Sequence, residues 1–270
     1  MNPALMKWDI FLKSFLIQAA WNPERMQNVG FLFALRRSLK IVWAGRPDQF
    51  EAAIARASSF FNTHPYFAPA VMGVTVHLEK KVADGSIQAE LVESVKSRIS
   101  PPLNALGSLW FWDHLKLLSF LIAMPLLVLR EPIPIAAGAA LFFCLFNYHH
   151  LRTRWVGLSL GMACGEEMVG RLVRFFPSRV LPAIRRTSAF LLGLTTPLAM
   201  ACLFERLQDR MPHIAGLDTA GRIPDQFYIR LGIGLALVAV SITVIHRRWL
   251  SVYQLLAVAL ALSIGIAQWL

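Results

Sequence analysis

The 270-residue chain is 56% hydrophobic and only 16% charged, with a mean hydropathy of +0.52, more apolar than a water-soluble domain carries. Its 27 Lys+Arg outnumber 16 Asp+Glu, but the bases lie between apolar runs instead of on a polar domain. That pattern excludes a nucleic-acid binder and fits loop charges facing an anionic leaflet.

In chain order, Phe11, Leu12, Phe15, Leu16 and Ala19 recur at helical spacing between Trp8 and Ala20, with Lys13 and Gln18 elsewhere on the turn. They predict an amphipathic helix of interfacial or re-entrant type. Lys7, Asp9 and Lys13 interrupt this stretch and no small-residue cleavage site follows, so a cleaved signal peptide is not expected. Asn22-Pro23-Glu24 reads as an N-cap, an N1 proline and a first-turn acid, predicting a second helix to about Lys40. A third helix is predicted from Asp48 to Phe61, broken at Asn62-Thr63-His64-Pro65 because proline disfavours helical geometry at His64. A fourth runs from Tyr66 to Lys81, before the polar Ala83-Asp84-Gly85-Ser86 turn.

Beyond Trp112 the apolar material arrives as Leu115–Leu129, Ile133–Phe146, Ala189–Phe204, Leu231–Ile245 and Leu250–Leu270. Only the last reaches the roughly 20 residues of a comfortable span. Arg130-Glu131-Pro132-Ile133-Pro134 separates the first two, predicting a tight hairpin or two half-spans, and broken helices at membrane depth point to a transporter. Trp110, Trp112, Trp155, Trp249 and Trp269 flank apolar segments, where indoles prefer the interface. Arg171, Arg174, Arg179, Arg185 and Arg186, and later Arg247-Arg248, are expected on the cytoplasmic side, leaving the C-terminus periplasmic. The expected fold is all-α: a polytopic membrane protein with amphipathic or re-entrant helices in residues 1–110 and several transmembrane helices in 111–270, joined in one integrated membrane domain.

Several patterns that resemble chemistry have plainer readings. Gly157-Leu158-Ser159-Leu160-Gly161 matches a GxSxG nucleophile elbow but lies in an apolar helical stretch, where small residues let helices approach closely. His149-His150, with Arg152 and Arg154, lacks metal-ligand spacing and reads as an interfacial polar cluster. Glu167 lies four residues before Arg171 and predicts a helical ion pair, whereas Glu166 faces Gly170 at that spacing. Cys144, Cys164 and Cys202 read as buried free thiols. No catalytic centre, metal or cofactor is expected.

The N-terminal part carries polar residues amid apolar ones: Gln18, Asn22, Arg25 and Asn28 fall at helix-like intervals. Left without partners they would cost roughly 1–3 kcal/mol each. A capping and packing network is one reading; a hydrated path for a hydroxyl-rich ligand is the other. The candidate substrate-binding or gating residues are Trp21, Asn22, Glu24, Arg25, Gln27, Asn28, Asn62, Thr63 and His64, with Asn62 as a simple helix cap the competing reading.

The run Phe11-Leu12-Lys13-Ser14-Phe15-Leu16-Ile17-Gln18-Ala19-Ala20-Trp21-Asn22-Pro23-Glu24-Arg25-Met26-Gln27-Asn28-Val29-Gly30-Phe31 closely resembles the opening signature of IID subunits of the mannose/fructose/sorbose phosphotransferase family. The resemblance continues through Phe60-Phe61-Asn62-Thr63-His64-Pro65-Tyr66, Ala70-Val71-Met72-Gly73-Val74-Thr75 and Leu78-Glu79, with later blocks at Pro102 to Trp112 and Phe146 to Gly161. Two departures stand out. Gly107-Ser108-Leu109 replaces the family's Gly-Asp-Ser, and Pro23 replaces an aromatic residue. The resemblance implies an inner-membrane subunit that pairs with a IIC subunit to move a hexose, which IIB, charged by IIA, phosphorylates at the cytoplasmic face. The altered third block leaves a second reading open, a regulatory or assembly protein that keeps the IID scaffold.

Overall fold

Helix α1 (Pro3–Lys13) begins where the Asn2 side chain accepts a hydrogen bond from the Ala4 N–H at 2.9 Å and Pro3 takes the first helical position. After a 3-10 turn (Ser14–Leu16) the chain leaves helical geometry until α2 (Asn28–Val42), followed by α3 (Pro47–Ala57), α4 (Ala68–Ala83) and α5 (Glu90–Gly107). Helix α5 continues through a π-helical segment (Ser108–Leu115) into α6 (Lys116–Val128). The 33-residue α7 (Pro132–Cys164) leads through a 3-10 turn (Gly165–Glu167) to α8 (Met168–Val173), and residues 181–193 are helical again. The computed structural model describes residues 2–128, 132–193 and 195, and no strand occurs among them.

Helix α4 is the centre of the packing, with every residue from Ala68 to Val76 buried. A stretch enclosed on all sides must be apolar all round, and within it only Thr75 is polar, its hydroxyl donating to the Val71 carbonyl at 3.0 Å. Its crossing with α7 is made by glycine: a Cβ on Gly73 would stand 2.6 Å from the Leu158 carbonyl oxygen, and one on Gly157 would stand 3.0 Å from the Ala70 Cβ. The GxSxG run is therefore a helix-packing surface, and Ser159 spends its hydroxyl proton on the Trp155 carbonyl. At the far end of α4, fully buried Glu79 accepts from Trp43 Nε1 at 2.9 Å and from Arg56 at 2.9 and 3.0 Å. One carboxylate thus ties α2, α3 and α4.

Two helical stretches, Glu90–Leu127 and Pro132–Gly193, are long and apolar enough to cross a membrane. This corrects the reading of Leu115–Leu129 and Ile133–Phe146 as short pieces. Each is the apolar end of a longer helix whose other end carries charge, and a hydropathy count sees only the apolar end. Helix α5 also runs through Pro101-Pro102, which remove two backbone donors, and the π-helical segment follows within a few residues.

Other boundaries moved. The first helix starts five residues before the predicted Trp8 and gives way to the 3-10 turn, because residues 14–20 leave α1 to lie against α2. Gly30 there packs directly on the Ile17 backbone. The second helix starts at Asn28, so Asn22 does not cap it. The third ends at Ala57, and the fourth starts at Ala68. The predicted Glu167–Arg171 pair does not form; Glu166 pairs with Arg98 instead. Glu166 and Glu167 lie in a 3-10 turn, where the four-residue register of an α-helix is lost. Cys144 is exposed and Cys164 half-buried, both free, so the Cys144 thiol belongs to the outward surface of α7 and not to the core. Cys202, Leu231–Ile245, Leu250–Leu270, Arg247-Arg248, Trp249, Trp269 and the side taken by the C-terminus lie outside the described residues.

Candidate functional site

Two non-helical segments meet beside α5. The first is a closed turn in which Asn22 and Met26 exchange both backbone hydrogen bonds, at 3.1 and 2.9 Å. Met26 closes it in the left-handed region at φ 56°, uncommon for a residue with a side chain. The Asn22 side chain accepts from the Arg25 N–H at 2.8 Å, which is what it does in place of capping a helix. The second segment, 60–65, lies against this turn. Met26 and Phe61 form a parallel bridge in which the Gln27 N–H donates to the Phe61 carbonyl at 2.9 Å.

Side chains extend the junction. Asn22 Nδ2 donates to Asn28 Oδ1 at 2.9 Å, and Asn28 Nδ2 donates to the Ser58 carbonyl at 2.8 Å. Gln27 Oε1 accepts from the Thr63 N–H at 3.2 Å, and Thr63 Oγ1 donates to the Ser100 carbonyl on α5 at 3.0 Å. Gln27, Asn28, Thr63 and His64 are buried, Asn22 and Asn62 are half-buried, and Trp21, Glu24 and Arg25 are exposed. The structure thus brings Asn22, Gln27, Asn28 and Thr63 into one network and leaves Trp21, Glu24 and Arg25 on its outer surface. Asn62 caps neither neighbouring helix, since those caps are Ser58 and Phe67. Its amide makes no hydrogen bond among the described residues, which leaves two donors and an acceptor at the edge of the network.

His64 is wedged against α5 and the π-helical segment. Its ring touches Gly107, where no side chain larger than hydrogen fits, and stacks on Phe111 at 5.6 Å. Tyr66 meets it edge-on at 4.9 Å. Nδ1 accepts from the Tyr66 N–H at 3.4 Å, whereas buried Nε2 has no hydrogen-bond partner. Burial pushes the imidazole down to about 4, and the nearby Arg154 charge pushes the same way. His64 is therefore neutral at physiological pH, able to donate or accept a hydrogen bond but carrying no charge.

Sequence reasoning missed what surrounds these residues. Tyr66, Ser100, Gly107, Phe111, His150 and Arg154 all border the junction, yet beyond grouping His150 with Arg154 the pattern gave them no joint role, because they come from three separate parts of the chain. Gly107 was the one available signal, a glycine in a helix interior where it weakens the helix unless close packing needs it. His150 stacks on Tyr66 at 4.4 Å and bonds Asn147, and no group of His, Cys, Asp and Glu suited to a metal ion occurs among the described residues.

The sequence profile of the "PTS system mannose/fructose/sorbose family IID component" matches residues 5–269. The mannose-specific EIID component of Escherichia coli K12 is 29% identical over 185 residues, covering 68% of this chain and 64% of that protein. The sorbose-specific component of Klebsiella pneumoniae is 31% identical over 162 residues, covering 60% and 57%. The chain thus spans a little under two thirds of the length of the curated relatives it matches. Its fold resembles a chain of the mannose transporter ManYZ solved with microcin E492, at a TM-score of 0.57 and 23% identity over 100% of this chain and 96% of that one. A second solved membrane protein gives 0.63 at 24% identity, over 98% and 96%. With the profile matched almost end to end, the chain belongs to the IID components of the mannose/fructose/sorbose phosphotransferase family.

Proposed function

We propose that the chain is a sugar-translocating subunit: with a IIC partner it forms a helical carrier for a hexose that IIB, charged by IIA, phosphorylates at the cytoplasmic face of the inner membrane. The observation that carries this reading is the family match across residues 5–269, which includes the whole two-segment junction. In this reading residues 1–110 and 111–270 work as one multi-pass membrane domain with a periplasmic C-terminus. Arg171, Arg174, Arg179, Arg185 and Arg186 are all exposed and offer an acidic or phosphorylated partner a basic surface. Trapping the sugar as a charged phosphate makes uptake directional, because charge makes return through an apolar barrier costly.

Within the carrier, Trp21, Asn22, Glu24, Arg25, Gln27, Asn28, Asn62, Thr63 and His64 serve as the substrate-binding or gating centre. The unengaged Asn62 amide and the unpartnered His64 Nε2 support this, since both suit a hydroxyl group. Asn62→Ala and His64→Ala should abolish hexose uptake while membrane abundance and IIC association persist. Full uptake by both variants at normal abundance would remove the centre.

One observation favours a second reading, a regulatory or assembly protein on the IID scaffold: the Gly107-Ser108-Leu109 block opens the π-helical segment without the family's acid. Uptake and phosphorylation of a hexose panel, in cells carrying the gene with and without its neighbours, separates the two. Transport requires sugar phosphate to accumulate only when the gene is present.

A further inference from the structure

Arg154 on α7 is 3% exposed, yet no carboxylate pairs with it among the described residues. A buried guanidinium without an anion loses most of its hydration and must recover it from neutral groups. Here one terminal nitrogen donates to both the carbonyl and the hydroxyl of Ser14, at 3.0 and 2.9 Å. The guanidinium also lies over the Phe15 ring at 4.6 Å and the Tyr66 ring at 5.3 Å. Its Nε finds no acceptor.

Those contacts lead to both halves of the junction. Ser14 and Phe15 form the turn that ends α1, a few residues before the closed turn at Asn22–Met26, and Ile17 between them is held against Gly30. Tyr66 follows the His64-Pro65 break directly and touches His64. Filling this space needs only an apolar side chain of similar length. Gripping a carbonyl in the guanidinium plane while stacking on an aromatic ring needs arginine, because an ammonium group has no plane to stack.

We infer that Arg154 is a positioning residue for the sugar-handling junction, holding the Asn22–Asn28 turn and the Asn62–His64 segment in register by gripping Ser14 on one side and Tyr66 on the other. The inference rests on the transport reading above. It assigns Arg154 no contact with sugar: its effect passes through Ser14 and Tyr66. Without the grip the two segments can drift apart while α4 and α7 stay locked by their glycine crossing. A drift of about 1 Å at a recognition site is enough to cost one to two orders of magnitude.

The test is uptake of a panel of radiolabelled hexoses by cells co-expressing the subunit with its IIC, IIB and IIA partners, with KM read on the hexose taken up best and membrane abundance and IIC co-purification measured alongside. Arg154→Met should raise the apparent KM about tenfold or more while abundance and co-purification hold. Arg154→Lys should restore less than half of that loss, because it keeps the charge without the plane. A merely structural role would lower the maximal rate in step with abundance and leave KM alone, and that result overturns the inference. Should Arg154→Met fail to reach the membrane, Ser14→Ala, which removes one of the two acceptors, decides: a raised KM supports the inference and an unchanged one overturns it. No uptake by the wild-type complex would overturn the transport reading together with this inference; wild-type uptake with an unaltered KM in the variants overturns the inference alone.

Discussion

His64 shows how one side chain can depend on a neighbour with no side chain of its own. A Cβ at position 107 would stand 2.3 Å from His64 Cγ, so Gly107→Ala must push the imidazole off Phe111 or open α5. Overpacking of this kind costs about 1–3 kcal/mol. The damage should be largely relieved in the double variant Gly107→Ala, His64→Ala, because the second change supplies the missing space. Thermal unfolding of the subunit co-purified with its IIC in detergent reads both, and additive losses would show that the two residues are not in contact. The same residue sets a pH dependence. With His64 held at about 4 in the fold against 6.5 when exposed, the unfolded chain binds the proton that the folded chain refuses. The contribution of His64 to stability is therefore full above pH 6.5 and is lost as pH drops from there toward 4. Replacing His64 by glutamine should lessen the slope of the stability curve in that range by up to one proton, and an unchanged slope would place the titrating group elsewhere.

At the scale of elements, the crossing of α4 and α7 is the joint on which the described fold turns. A Cβ on Gly161 would stand 2.8 Å from the Val74 backbone nitrogen, so the two helix backbones, and not flexible side chains, would have to separate. Gly161→Leu should lower the unfolding midpoint in detergent more than Gly170→Leu, since Gly170 on α8 has open space around it. Equal effects would mean that the crossing does not carry stability. This joint was legible in the sequence, because glycines spaced along an apolar helix have few other uses. The break at His64-Pro65 was legible too, since proline restricts the residue before it whatever the fold. The Asn22-Pro23-Glu24 turn was not: the cap signal is real but local, and the turn is settled by a backbone bridge to Phe61, which no local pattern encodes. Helix α5 was missed for a related reason, as its paired prolines oppose helix by propensity while burial of Val92, Val95, Ile99 and Leu103 favours it. The candidate centre was half legible: its loops were named, but the partners they meet on α5 and α7 come from long-range packing.

For the whole molecule, the surface left apolar and the surface left basic decide how it sits. Leu5, Trp8, Leu12, Phe15 and Leu16 along the N-terminal helix and Ile133, Phe143 and Phe190 along the longer stretch are exposed, far more than a water-facing surface tolerates. Lipid or a partner must cover them, so the subunit should co-purify with its IIC in detergent; stable recovery as a monodisperse monomer would count against this. Orientation follows from charge. Helices α6 and α7 pack side by side, with Phe120 against Phe142 at 6.5 Å, and the Arg98–Glu166 ion pair joins the start of the first stretch to the end of α7. Five residues beyond Glu166 begins a series of five exposed arginines, Arg171, Arg174, Arg179, Arg185 and Arg186, and none of them is ion-paired among the described residues. Uncompensated arginines flanking a span are retained on the cytoplasmic side, where the leaflet is anionic and the membrane potential opposes their export. A reporter fused after Arg186 should therefore be active only in its cytoplasmic form. Neutralising all five to glutamine should weaken that bias and give mixed reporter activity, whereas periplasmic activity in the unaltered fusion would reverse the orientation and move the proposed basic docking surface to the wrong side of the membrane.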